Sequence, residues 1–235
     1  YQRVLALANK EQRGYITPQE YNLLANKAQL LIFEQYFYDM DVALSQRVGN
    51  SSEYSDRFDM LSEKTAPFKN TNVNMAAVNG AVMTLPTTPT LHKLGTVFYN
   101  DGTRSIKVER IDGNQAQLMQ QTALYAPTQL RPVYVRITDT TLQFFPATAT
   151  PAYNATASTV NCNFVSKPTE VIWGYVVVNN QALYDATAST DFDLHASEEN
   201  ELVYKILELA GITLNKPGLV QIASSEESVM QQQKQ

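Results

Sequence analysis

Cysteine occurs once in this chain, at Cys162, so no intrachain disulfide can form and no zinc site can be built from cysteine ligands. Histidine is nearly as scarce. His92 and His195 are the only two, and neither stands in a Cys–His signature that would activate Cys162 as a nucleophile. Flanked by Asn161 and Asn163 in a strand-like run, the thiol reads as a packed one. The longest apolar runs, such as VIWGYVVV at 171–178, fall far short of the roughly 20 residues that a membrane-spanning helix needs. No basic start followed by an apolar stretch and a small-residue cleavage site is present, so no secretory signal is expected. Charge is also thin. Asp, Glu, Lys and Arg make up 17% of the 235 residues, against about 25% in an ordinary soluble domain.

Thr, Asn and Gln stand in for the missing charge. Neutral amides and hydroxyls can be buried against a partner without the desolvation cost of ions, which favours a protein with extensive interfaces. The net charge of −5, with the basic residues scattered, argues against general nucleic-acid binding, which needs a basic field. Tyr15, Tyr36, Phe37 and Tyr38 could stack on single-stranded bases; at helical spacing they read instead as split between a core and a neighbour.

Catalytic signatures are missing as well: no glycine-rich phosphate loop, no HExxH, no GxSxG and no paired His–carboxylate metal spacing. Asp191, Asp193, Glu198, Glu199 and Glu201 cluster in sequence, but without the spacing or turn glycine of an EF-hand loop. Their glutamates read as partners of a helix N-terminus. Just ahead of them, His195 reads as a capping or packed residue, and Trp173 as a core residue on a strand. A hydrolase would need two converging carboxylates, and nothing in the spacing of Asp101, Asp139, Glu170 and Asp185 recommends a pair. No catalytic residue, metal or cofactor is expected.

The patterning that is present predicts an α+β chain. Residues 1–13 form a helix with Gly14 as its stop, and 17–20, TPQE, is a capping box with Pro at the first helical position. After it Tyr21, Leu24, Ala28, Leu31 and Ile32 lie on one stripe of a helix continuing to about 44–48. A third helix covers 53–64, capped by Ser51 or Ser52 and ended by Pro67. Beyond Pro67, short β-branched and aromatic runs punctuated by Gly, Pro, Thr and Asn predict antiparallel hairpins. One joins 96–99 to 105–111 through the turn 100–103, NDGT, and another joins 132–138 to 142–145. Residues 115–122 predict a short helix, 160–165 and 171–178 further strands, and 146–159 an exposed loop. A C-terminal helix starts at Ser197, buries Leu202, Ile206, Leu209 and Ala210, and stops at Gly211. The expected organisation is a helical region 1–67, a β-rich domain 68–190, a helix 191–214 packing on the body and an arm 215–235. In the arm Leu219, Val220, Ile222, Val229 and Met230 have nothing opposite them to pack on, so they are expected to lie against another chain.

Three segments carry a resemblance: NKEQRGYITPQEYNLLANKAQLLIFEQYF at 9–37, NFVSKPTEVIWGY at 163–175 and DFDLHASEENELVYKILELAGI at 191–212. In collinear order they resemble head-to-tail connector proteins, the adaptors or neck rings of crAss-like phages and podovirus-type relatives. Two departures stand out: residues 71–128 are not family-typical, and Ala196 stands where members carry Pro. The resemblance implies a structural virion protein, made in the host bacterial cytoplasm, that forms a ring of twelve copies between portal and tail. Its implied partners are itself, the portal, other neck or tail rings, and genome DNA passing through without sequence-specific binding. An acidic lining would let DNA slide, and Asp112, Asp139 and Asp185 are the expected channel-facing carboxylates. The alternatives are another tail-barrel ring, a peripheral host-binding tail protein using 146–159, or a tail-associated hydrolase.

Overall fold

The computed structural model describes residues 1–10, 16–45, 52–147, 153, 159–179, 181–213 and 228. In chain order come helices α1 (Gln2–Lys10), α2 (Pro18–Ser45) and α3 (Ser52–Thr65), then strands β1 (Lys69–Asn74), β2 (Ala76–Asn79), β3 (Val82–Thr84), β4 (Leu91–Asn100) and β5 (Ser105–Arg110). Helix α4 (Gly113–Gln121) precedes β6 (Val133–Arg136), β7 (Thr141–Phe145), β8 (Thr159–Ser166), β9 (Tyr175–Val178) and β10 (Gln181–Tyr184). Helix α5 (Glu199–Thr213) follows. The class is α+β, as the patterning predicts.

Two compact units divide the chain: Tyr1–Pro67 with Pro168–Gln235, and Phe68–Lys167. Residues 168–190, expected in the β-rich domain, therefore group with the helices. The reason is a set of side-chain bonds from α2, described below.

In the first unit the capping box forms as its residues dictate. Glu20 Oε2 accepts from the Thr17 N–H at 2.9 Å, and Thr17 Oγ1 accepts from the Glu20 N–H at 3.3 Å. These bonds, backbone and side chain, hold the Glu20 carboxyl below its ordinary range. From that start α2 buries Tyr21, Ala25, Ala28, Ile32, Phe33 and Tyr36 at helical spacing; the expected Leu24 and Leu31 are half-buried beside them. It packs on α3 and α5, and α1 packs on α5, which buries Leu202, Ile206, Leu207 and Ala210. Gly211 does not stop α5, which runs on to Thr213, and the glycine itself is buried.

The second unit is one eight-stranded sheet in the order β1-β8-β4-β5-β6-β7-β3-β2. Both expected hairpins are there, with Asn100 opposite Ser105 and Val133 opposite Phe145. The expected antiparallel β domain departs from that pattern at one pair: β5 and β6 are parallel. Parallel neighbours cannot be joined by a tight turn, so residues 111–132 cross over, carrying α4. Successive residues of β6 then serve two faces. Val133 packs under α4 with Ile111 and Ala116, while Tyr134 joins the main core with Phe144, Leu142, Tyr99 and Val160. Strand β8 alternates strictly, burying Val160, Cys162, Phe164 and Ser166. Gly95 lets β4 press on β8, for a Cβ there would stand 2.9 Å from the Asn163 carbonyl oxygen. Within the expected exposed loop, Tyr153 is fully buried, its ring 5.0 Å from Tyr99 and 5.3 Å from Phe144. An aromatic side chain that can reach a core outweighs the loop's polar composition.

Candidate interaction surface

Helix α2 holds the segment after Pro168 with a row of side-chain amides. Asn26 donates to the Val171 carbonyl at 2.9 Å and accepts from the Val171 N–H at 2.7 Å. Asn22 repeats the pattern on Trp173, accepting from its N–H at 2.8 Å and donating to its carbonyl at 3.4 Å, and Gln29 donates to the Thr169 carbonyl at 2.8 Å. The match is geometric. Four residues of helix rise about 6 Å, close to the roughly 6.7 Å that two residues of extended chain advance. An Asn side chain also carries the same donor and acceptor pair as a backbone peptide. The helix thus serves as a surrogate strand for 169–173, and Asp193 Oδ2 adds a bond from the Thr169 N–H at 2.7 Å. This is why only Tyr175–Val178 of the expected strand 171–178 pairs as a strand.

On its other edge the same segment pairs with the chain returning from β10. Ile172 bridges Thr190, Asp185 donates its N–H to the Gly174 carbonyl at 2.9 Å, and β9 pairs with β10 from Tyr175–Tyr184 to Val178–Gln181. Gly174 is required: a Cβ would lie 2.7 Å from the Ala188 backbone. Strand alternation places Tyr1, Trp173, Tyr175 and Tyr184 in one aromatic group, with Trp173 at 4.3 Å from Tyr1 and 5.9 Å from both Tyr175 and Tyr184. Trp173, expected in the core, is therefore half-buried at the base of a hairpin.

The hairpin itself is uncovered among the described residues. Val176, Val177, Leu183 and Tyr184 are 52%, 63%, 51% and 58% exposed, and Ile172 and Val178 are exposed with them. No Asp, Glu, Lys or Arg occurs between Glu170 and Asp185. Edge strands of stable monomers usually carry such charges as guards, and a two-stranded ribbon is marginal in water by itself. The six side chains present on the order of 500 Å² of apolar surface, the scale that marks interaction sites.

The acidic residues near α5 divide into two roles. Glu199 pairs with Arg3 at the surface, as a helix-end glutamate can. Glu198, expected only as a dipole partner, is fully buried and pairs with Lys64 of α3 at 2.5 Å, also accepting from Ser197 Oγ. His195 caps the turn that leads into α5, its Nδ1 accepting from the Ser197 N–H. Burial and the charges of Glu198 and Glu201 push the Tyr36 hydroxyl well above its ordinary range. Of the stacking candidates, Tyr36 is buried, Phe37 half-buried and Tyr38 exposed, while Tyr15 lies outside the described residues.

The remaining sequence candidates occupy local positions. Asp112 is exposed at the N-cap of α4 without a side-chain cap bond. Asp139 is exposed in the β6–β7 turn beside Arg136. Asp185 closes the hairpin base, accepting from the Thr187 N–H at 2.9 Å. Asp101 accepts from the Thr103 and Arg104 N–H groups in its turn, bonds that hold its carboxyl below the ordinary range. Glu170 is exposed. Burial pushes the Cys162 thiol up to about 11. No three His, Cys, Asp or Glu residues among the described ones gather as metal ligands, and no described helix is long and apolar enough to cross a membrane. Leu219, Val220, Ile222, Val229 and Met230 lie outside the described residues. The amide row is not distinguishable in the sequence: Asn22, Asn26 and Gln29 recur at spacings of four and three, but α2 carries other polar and charged residues as well.

No family model matches the chain, and no curated protein is similar to it.

Proposed function

We propose that the chain is a structural subunit of a tailed-phage neck, one copy in a ring that joins the portal to the tail and surrounds the DNA channel. The observation that carries this reading is the exposed, charge-free apolar hairpin, a surface with a use in an assembly and a cost in a monomer. The resemblance supports it in a second way. The quoted segments at 9–37, 163–175 and 191–212 bond to one another through Asn22, Asn26, Gln29 and Asp193, so what resembles the connectors is one physical framework and not three separate stretches. Function in such a ring is geometry: repeated heterologous contacts close around an axis and leave a bore. Twelve copies is the number the resemblance implies, and Asp112, Asp139 and Asp185 remain the proposed bore-facing carboxylates.

Quantitative mass spectrometry of purified virions tests the reading. The chain should be present at the copy number of a single ring, in fixed ratio to the portal. Its absence from virions would overturn the proposal.

A further inference from the structure

The geometry points to a partner for the hairpin: strand β9 of one copy adds to the β2 edge of the eight-stranded sheet in a second copy, an edge on which no further strand pairs among the described residues. The inference rests on the ring reading above and deepens it.

Strand β9 is half-served. Outward-facing N–H and C=O groups at Val171 and Trp173 are satisfied by Asn26 and Asn22. The row ends there, because the helical position one turn earlier is Pro18, which has no amide side chain. Alternation makes Tyr175 and Val177 the next outward-facing residues, and no further strand pairs with β9 on that edge among the described residues. An extended segment laid beside them would continue the line of bonds that the helix begins.

The sheet has two ends. At one end, β1 starts at Lys69 and is bent by a register shift between Asn70 and Val73, where Asn72 takes a positive φ of 57° and bonds into Asn161 and Asn163. At the other end, β2 is terminal and all four of its residues are exposed, Val78 at 61%. A register shift between Ala77 and Asn79 is its only irregularity, and no Asp, Glu, Lys or Arg occurs between Lys69 and Lys93. The two unguarded edges match: each is a four-residue strand, each is free of charge, and burying one on the other leaves no unpaired ion. They are different surfaces of the chain, lying in different compact units, so the contact can repeat head-to-tail from copy to copy, the kind of contact from which a ring closes. A two-fold pairing of hairpin on hairpin would instead stop at a dimer.

Cysteine pairing in the full-length protein tests this. Val177→Cys is made in ¹⁵N-labelled protein and Ala77→Cys in unlabelled protein; Cys162, buried, stays out of the reaction. After mixing and mild oxidation, the expected product is the mixed-isotope disulfide between positions 177 and 77. Native mass spectrometry of wild type and Val177→Lys runs alongside, with the expectation that the lysine variant keeps its melting midpoint and loses the oligomer. If wild type forms rings while Val177→Lys forms them equally well and no 177–77 disulfide appears, the hairpin assignment falls and the ring reading stands. A predominant 177–177 disulfide with a mass that stops at a dimer would overturn both, as would a wild type that stays monomeric in solution and with its virion partners.

Discussion

Replacing Asn26 by alanine removes the centre of the amide row and measures how far α2 acts as a strand. The side chain makes three bonds, to the Val171 N–H at 2.7 Å, the Val171 carbonyl at 2.9 Å and the Asn22 carbonyl at 2.8 Å. Val171 is 3% exposed, so both of its backbone groups lose their partner where water does not reach. A buried donor or acceptor left unpaired costs about 1–3 kcal/mol, and the two together give about 2–6 kcal/mol for Asn26→Ala. Asn22→Ala acts at the half-exposed end of the row, where water can replace the lost bonds, and should cost about 1 kcal/mol. Trp173 is the only tryptophan and sits two residues from Val171, so its fluorescence reports on the held segment directly. Urea unfolding followed by that fluorescence should show the midpoint falling further for Asn26→Ala than for Asn22→Ala, with an unchanged slope. A loss below about 0.5 kcal/mol for Asn26→Ala, or equal losses for both variants, would refute the surrogate-strand account.

Lys64→Met should cost about 3–5 kcal/mol in denaturant unfolding because it removes the lysine charge paired with the buried Glu198. Adding Glu198→Gln to it should recover a large part of that loss, and additive losses would contradict the pairing. Cys162 should resist a thiol reagent in the folded protein at pH 8 and react fully in denaturant. Because burial raises the folded thiol from 9.0 to about 11, the unfolded chain loses this proton first, so the thiol's contribution to stability is present below pH 9 and is lost as pH rises towards 11. Rapid labelling of folded protein would contradict the buried placement. Tyr153→Ala should lower stability by about 3–5 kcal/mol through the cavity left between Tyr99 and Phe144, an effect a surface loop residue would not give. Thr17→Ala should cost about 1 kcal/mol through the lost cap, and thermal melts would read it.

Local signals wrote most of the elements. The TPQE cap, the NDGT turn and the alternation of β8 each depend on neighbours a few residues away, and each stands where those residues place it. What the sequence hid depends on distance along the chain. The row of Asn22, Asn26 and Gln29 acquires meaning only when residues 169–173 arrive beside it, and the fate of 168–190 follows from that meeting. Glu198 looked like a surface glutamate because its partner, Lys64, lies on another helix. The parallel β5–β6 pair was unread because the periodicity of a strand does not specify the direction of its neighbour. Of the interaction surface, the apolar run at 171–178 was visible and its exposure was not: an uncharged valine run reads equally well as a buried strand.

The most direct measurement is a symmetry-resolved reconstruction of the portal vertex in virions that carry this chain. The account predicts a rotational ring of copies around the DNA axis, with the β9–β10 hairpin at each subunit boundary, laid on the neighbouring copy's β2 edge. A chain located off the axis, or a ring in which the hairpin projects freely into solvent, would contradict it.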